Sequence, residues 1–169
     1  MPLFSRRHAL PDADRRALDL PPDDRVLAAA RVPGGRWVAA SRRALHLLDG
    51  DTVLRRPWTD VDRASFTPEP AAITVHWVSG QTQEVPLEAP VPVAFAQAFR
   101  ERVQSSVVHV ETVALPGGAT VRVALRRGED GDLFTQVTGP ATVDLADPGV
   151  VALLDEAEAR VRSAAGLRP

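Results

Sequence analysis

Between Arg25 and Glu88 seven short strand-like runs follow one another, and a single amphipathic stretch, Val91 to Ser106, comes after them. Short turns join neighbouring runs, which is the pattern of an antiparallel meander. Arg25 to Val32 is apolar on both faces. Pro33-Gly34-Gly35 turns the chain into Arg36 to Ser41, where Trp37 and Ala39 share a face. Arg42-Arg43 is a tight connection to Ala44 to Leu48, and Asp49-Gly50-Asp51 is a strong hairpin signal before Thr52 to Pro57. Val61 to Thr67 is the fifth run, and Pro68-Glu69-Pro70 breaks it. In Ala71 to Val78 the residues Ile73, Val75 and Trp77 alternate with Thr74 and His76. Ser79-Gly80 then turns the chain into Gln81 to Glu88. The helix that follows has Pro92 in its first turn, where a missing N–H costs nothing. Phe95, Ala98, Phe99, Arg102 and Val103 fall on one stripe of it. The fold class expected is α+β: an antiparallel seven-strand barrel whose mouth this helix caps, with Phe95 and Phe99 as the plug.

The flanks add two further segments. Residues 1–22 hold the pairs Arg6-Arg7 and Arg15-Arg16, room for one helical turn around Asp12 to Leu18, and a stop at Pro21-Pro22. They read as a loosely ordered N-terminal arm. Beyond residue 107, Val107 to Leu115, Thr120 to Arg127 and Leu133 to Thr138 read as three strands. A last helix has Asp147 as its N-cap, Pro148 at its first position and Gly166 just past its end. Val151, Leu154, Val161 and Ala165 give it an apolar stripe, and Glu156–Arg160 and Glu158–Arg162 stand in the favourable i,i+4 order. Three strands and one helix bury little by themselves. This unit is therefore expected to pack on the barrel or on another copy, which leaves a homo-oligomer open. The organisation expected is an arm over 1–22, a barrel with its capping helix over 23–107, and an extension over 108–169.

Composition removes several function classes. The chain of 169 residues has no cysteine, so disulfides and thiolate metal sites are excluded. It has no lysine, asparagine or tyrosine, and one isoleucine, Ile73; all 20 basic residues are arginine. That bias marks a high-GC bacterial genome, and arginine here replaces lysine. Net charge is −2 and no segment is strongly basic, which argues against nucleic acid as a partner. No apolar run approaches the length of a membrane span. The first ten residues carry arginines without an apolar stretch after them, unlike a signal peptide. The expected location is the cytoplasm.

The stretch Trp37-Val38-Ala39-Ala40-Ser41-Arg42-Arg43-Ala44-Leu45-His46-Leu47-Leu48, followed by Trp58-Thr59-Asp60-Val61, resembles the bacterial pleckstrin-homology-like and GRAM-type domains. Those domains show a strand, a short turn with an arginine, a second strand, and later a Trp-x-Asp-hydrophobic segment that opens the fifth strand. The resemblance covers roughly residues 23–107. It implies a barrel scaffold used for binding and carries no catalytic residues; residues 108–169 lie outside it.

No residue pattern asks for catalysis. His8, His46, His76 and His109 share no metal-ligand spacing, so no metal or cofactor is expected. His46 and His76 read as exposed strand histidines. His109 with Ser105 or Ser106 lacks a nucleophile elbow. Asp60 and Asp62 flank Val61 as a solvated pair neutralised by nearby arginine. Gly34-Gly35 and Gly117-Gly118 are hairpin turns, and without lysine no phosphate-binding loop exists. Trp77 reads as core, and Trp58 as partly exposed at a strand end.

The arginines of the first hairpins are the candidate site. In a meander, alternate turns gather at one end. Arg42, Arg43, Arg55, Arg56 and Arg63 should share that end, away from Arg36, and would suit an anion or an acidic partner. In eukaryotic relatives of the fold, phosphoinositides bind at the first-hairpin loop, the opposite end, so the analogy gives no support for lipid recognition. The leading expectation is a non-catalytic protein-interaction or scaffold module with an unknown protein partner, docked at the arginine end or along an uncovered strand edge. The alternative is an enzyme or accessory subunit that binds a small anionic metabolite. A polar pocket with converging arginine, His76 or Asp60 side chains would favour the alternative, and a filled barrel with an apolar patch the first.

Overall fold

Glycine turns and apolar alternation cut the chain into the strands expected. Gly34 and Gly35 adopt φ of 86° and 76°, and Gly50 takes 58°. A Cβ disfavours these left-handed values, so the tight hairpins form there. The structure, a computed structural model, describes residues 9–168. A short helix α1 (Asp12–Ala17) leads into a first antiparallel sheet of β1 (Val26–Val32), β2 (Arg36–Ser41), β3 (Ala44–Asp49) and β4 (Thr52–Pro57), in that order. A second antiparallel sheet holds β5 (Val61–Pro68), β6 (Ala71–Trp77) and β7 (Thr82–Pro86). Helix α2 (Val93–Ser105) follows. The third sheet is β8 (Val107–Ala114), β9 (Thr120–Arg127) and β10 (Leu133–Thr138), with β9 central, and α3 (Pro148–Ala164) ends the described chain.

The expected continuous barrel is not what forms. The seven strands make two separate sheets of four and three, and none closes on itself. The break lies between β4 and β5. Pro57 ends β4 without an N–H to give, and Trp58–Asp60 makes a 3-10 turn that carries the chain out of the first sheet. At the other side Glu88 N–H donates to Arg31 O at 2.9 Å, a single bond between the exit of β7 and β1.

Between the two sheets lies the main core. Val38, Ala40 and Leu45 of the first sheet meet Val61, Ile73, Val75, Trp77 and Val85 of the second. Phe95, Ala98 and Phe99 of α2 complete it, and neither ring is more than 2% exposed. Phe99 meets Trp58 edge-on at 6.1 Å and stacks on Phe95 at 6.0 Å. Trp58 is thus core, with its indole N–H donating to Ser41 O at 3.1 Å.

The outer face of the first sheet is also covered. Leu10 and Leu18, either side of α1, pack on Ala29, Trp37, Ala39 and Leu48. These are two anchors in the N-terminal arm; its residues 1–8 lie outside the described residues. A third core sits between the last sheet and α3: Val113, Val121, Val123 and Leu125 against Val150, Leu154, Ala157 and Val161. Of the expected α3 stripe, Leu154 and Val161 are buried and Ala165 packs beside them, whereas Val151 is 38% exposed and its neighbour Val150 takes the buried position. Asp147 accepts from Gly149 and Val150 N–H, as its cap position implies.

Candidate functional site

The β2–β3 turn, the C-terminal end of α2 and the β9–β10 turn converge on a cleft of about 390 Å³. Arg42, Arg43, Arg102 and Arg127 line it, with Asp23, Glu129 and Asp130 and the hydroxyl residues Ser105 and Ser106. The fold brings these together because Arg127 N–H donates to Ser106 O at 3.0 Å, which lays the start of β8 beside the end of β9. The third sheet thereby swings its Gly128–Gly131 turn over the end of the first.

The five arginines expected at one surface are placed differently from one another. Arg43 pairs with Asp23 and, at 3.2 Å, with Asp130. Arg55 pairs with Glu129 at 2.6 Å. Arg56 lies 3.9 Å from Asp60 and 5.5 Å over the ring of Trp77. Arg63 is 4.0 Å from Asp62 and largely exposed. Arg42 is exposed and reaches only the carbonyl of Asp23, at 3.4 Å. Arg42 and Arg43 line the cleft, and the Arg55 partner Glu129 lines it too; Arg56 and Arg63 do not. Arg102 and Arg127, which the sequence reading did not select, face the same cleft without a carboxylate partner among the described residues. The Nε–H of Arg102 is shut from solvent with no acceptor. No local pattern marks these two: Arg102 lies in the last turn of a helix and Arg127 ends a strand, and only the tertiary fold brings them together.

The acids expected to be solvated divide. Asp60 is half exposed. Asp62 keeps 13% of its side-chain surface and sits among three arginines. Arg122 Nη1 donates to both of its oxygens at 3.0 Å. Arg126, only 1% exposed, donates to Val61 O at 2.8 Å and to Ser106 Oγ at 3.3 Å, 3.8 Å from the Asp62 carboxylate. Burial pushes the Arg126 guanidinium below its ordinary value, and Asp62 opposes the shift. This joint seats the third sheet on the second.

His46 is not an exposed strand histidine. It has no exposed surface, and its Nε2 lies 3.1 Å from Ser41 Oγ. Ser41 Oγ donates to Asp24 Oδ2 at 2.8 Å. Asp24 Oδ1 also accepts the N–H groups of Arg25 and Arg42. Asp24, Ser41 and His46 thus meet, but in roles opposite to a nucleophilic triad. There the serine hands its proton to histidine; here that proton is directed to the carboxylate, and the serine is fully buried. The cluster fixes the entry to β1 and the β2–β3 turn. His76 is half-buried, with Nδ1 3.0 Å from Thr82 Oγ1. Among the described residues no group of three His, Asp or Glu side chains is placed to hold a metal. No described helix is long and apolar enough to cross a membrane.

A second depression runs between β5 and α2, with a volume of about 610 Å³. Ala64, Ser65 and Phe66 form one wall, and Val93, Ala96, Gln97, Arg100, Val103 and Gln104 the other. β6 occupies one edge of β5; the other edge has no strand partner. Arg126 satisfies that edge at Val61 and Asp62, and from Ala64 onward the edge borders the groove. Phe66 and Val93 remain 37% and 71% exposed there. No known protein family, curated protein or solved structure matched the chain.

Proposed function

We propose that the chain is a non-catalytic interaction module on a pleckstrin-homology-like scaffold, and that it holds an extended segment of a partner protein along β5. The scaffold reading is supported by the strand order of four then three and by the helix that caps the shared core. The observation that carries the docking reading is the unpaired β5 edge beside an open apolar groove. A free edge offers alternate N–H and C=O groups to an incoming strand, which is how sheet domains bind peptides by strand addition. Side chains of that strand would alternate between Phe66 and Val93 in the groove and solvent. Arg100 is the one charge in the groove lining, so an acidic residue in the segment fits there.

Selection of displayed random peptides on the full chain tests this. Selected peptides should alternate apolar residues around an acidic one, and should shift the amides of residues 63–68 in NMR titrations. Phe66→Arg and Val93→Glu should each weaken them at least about tenfold. Leu54→Glu, which changes a 41% exposed residue on β4, serves as the control and should have no effect. Peptides that bind both groove variants like the wild type would defeat the reading.

A further inference from the structure

The arginine cleft has a charge arrangement that the internal ion pairs do not use up. Of its lining residues, Asp23 and Asp130 are taken by Arg43, and Glu129 is taken by Arg55 from outside the lining. Arg42, Arg102 and Arg127 remain without a carboxylate among the described residues. They come from three different elements: the β2–β3 turn, the last turn of α2 and the end of β9. Three guanidiniums arriving at one hollow from separate elements repel each other, and that cost is offset when an anion sits between them. Arg102 lines the same hollow, and its Nε–H, shut from solvent, has no acceptor within the described fold.

We propose that this cleft binds a small phosphorylated metabolite through Arg42, Arg102 and Arg127. A phosphate group offers acceptor oxygens in several directions, which suits donors converging from three sides, whereas a single carboxylate presents two in one plane. The volume of about 390 Å³ is that of a small-ligand site and exceeds what a bare phosphate fills, so the phosphate is one end of a larger molecule. Ser105 also lines the cleft, and its hydroxyl donates to Arg102 O at 3.1 Å, which leaves the oxygen free to accept. The carboxylates of Glu129 and Asp130 in the lining set a limit: they repel a polyanion such as a nucleic acid backbone, while a compact anion can seat between the guanidiniums. This site lies away from the β5–α2 groove and shares no lining residue with it, so each reading stands or falls alone.

The test is an NMR titration of the full chain with inorganic phosphate, pyrophosphate and citrate. Pyrophosphate should give saturable shifts in the amides of residues 42–43, 102–106 and 127–131. Arg42→Gln and Arg127→Gln alter exposed side chains, so the fold should persist, and each should weaken pyrophosphate about tenfold or more, the loss of one charge-assisted hydrogen bond. Arg36→Gln, at the far end of the first sheet, should leave the affinity unchanged. Equal weakening by Arg36→Gln would mean general charge attraction and overturn the site. Wild-type affinity in both cleft variants, or shifts that map outside the cleft, would do the same. Citrate binding as tightly as pyrophosphate would overturn the phosphate assignment.

Discussion

At the scale of single residues, His46 makes the firmest statement about solution behaviour. The shortest contact of Ser41 Oγ, 2.8 Å, directs its proton to Asp24, and the tautomer of His46 that fits this carries its proton on Nε2. Nδ1 is then a bare acceptor with no partner, which holds only for a neutral ring. Burial lowers the pKa of His46 to about 4; Asp24 acts against this, and Arg55, paired across the strands with His46, adds to it. An unfolded chain protonates this ring near its ordinary 6.5. Between the two values the unfolded state binds more protons, so stability is fully present above about pH 6.5 and declines as pH falls toward about 4. The decline should be on the order of 3 kcal/mol across that window. Urea unfolding at about pH 7 and about pH 5 should show roughly 2 kcal/mol of it in the wild type and less in His46→Gln, which keeps a donor for Ser41. Equal slopes in the two proteins would remove His46 as the cause. Glu111 does not confuse the test, because Arg160 holds its carboxylate below the ordinary 4.5, and its contribution is lost at lower pH.

At the scale of elements, packing and pairing give two contrasting predictions. Phe99 lies at the centre of the core with 2% exposure, against Trp58 and Phe95, so Phe99→Ala should cost about 3–5 kcal/mol in chemical denaturation. Asp62 and Asp60 are two residues apart but differ in burial. Removing Asp62 leaves the buried Arg126 guanidinium without its counter-charge, and Asp62→Ala should cost roughly 3–5 kcal/mol. Asp60→Ala breaks only an exposed pair with Arg56 at 3.9 Å and should cost less than about 1 kcal/mol. Equal costs would mean that Asp62 is solvated after all. The same elements show what the sequence could reveal. Strand ends such as Arg36–Ser41, Thr52–Pro57 and Leu133–Thr138 were readable because turn residues and alternation are local. The capping of α3 was readable for the same reason, and so was most of its stripe; only its first position was misplaced, because Val150 and Val151 are equally apolar. His46 and Asp62 were misread as exposed because the polar groups tied to them come from far along the chain: Asp24, which anchors the His46 partner Ser41, lies 22 positions before His46, and Arg126 lies 64 positions after Asp62. Leu10 and Leu18, which cover the second face of the first sheet, went unread, although Arg25 to Val32 is apolar on both faces. The arginine cleft was half legible, since Arg42 and Arg43 sit in a local turn while Arg102 and Arg127 reach it only through the tertiary fold.

At the scale of the whole molecule, the question is whether the tail unfolds with the rest. The hydrophobic cores are separate: the one around Phe95 and the one under α3 share no residue. What joins them is polar. Arg126 reaches Val61 O and Ser106, Arg122 grips Asp62, and Gln136 donates to Thr59 O at 3.3 Å. Such a joint is weaker per unit area than an apolar one, but two features make it cooperative. The Arg126 charge is buried only while both sides are folded, and the third sheet covers its inner face with α3 alone, a thin core for about 60 residues. Loss of the first two sheets should therefore take the third with it, in one transition. The tryptophans allow a clean reading: Trp37, Trp58 and Trp77 all lie in the first two sheets and the turn between them, so their fluorescence reports that part alone. Amide signals of α3, followed in the same urea series, report the tail. The two midpoints should coincide in the wild type. In Asp62→Ala the α3 amides should melt first, because that variant loosens the joint while leaving both cores intact. Separate midpoints already in the wild type would show two independently folding domains and a joint with no energetic role.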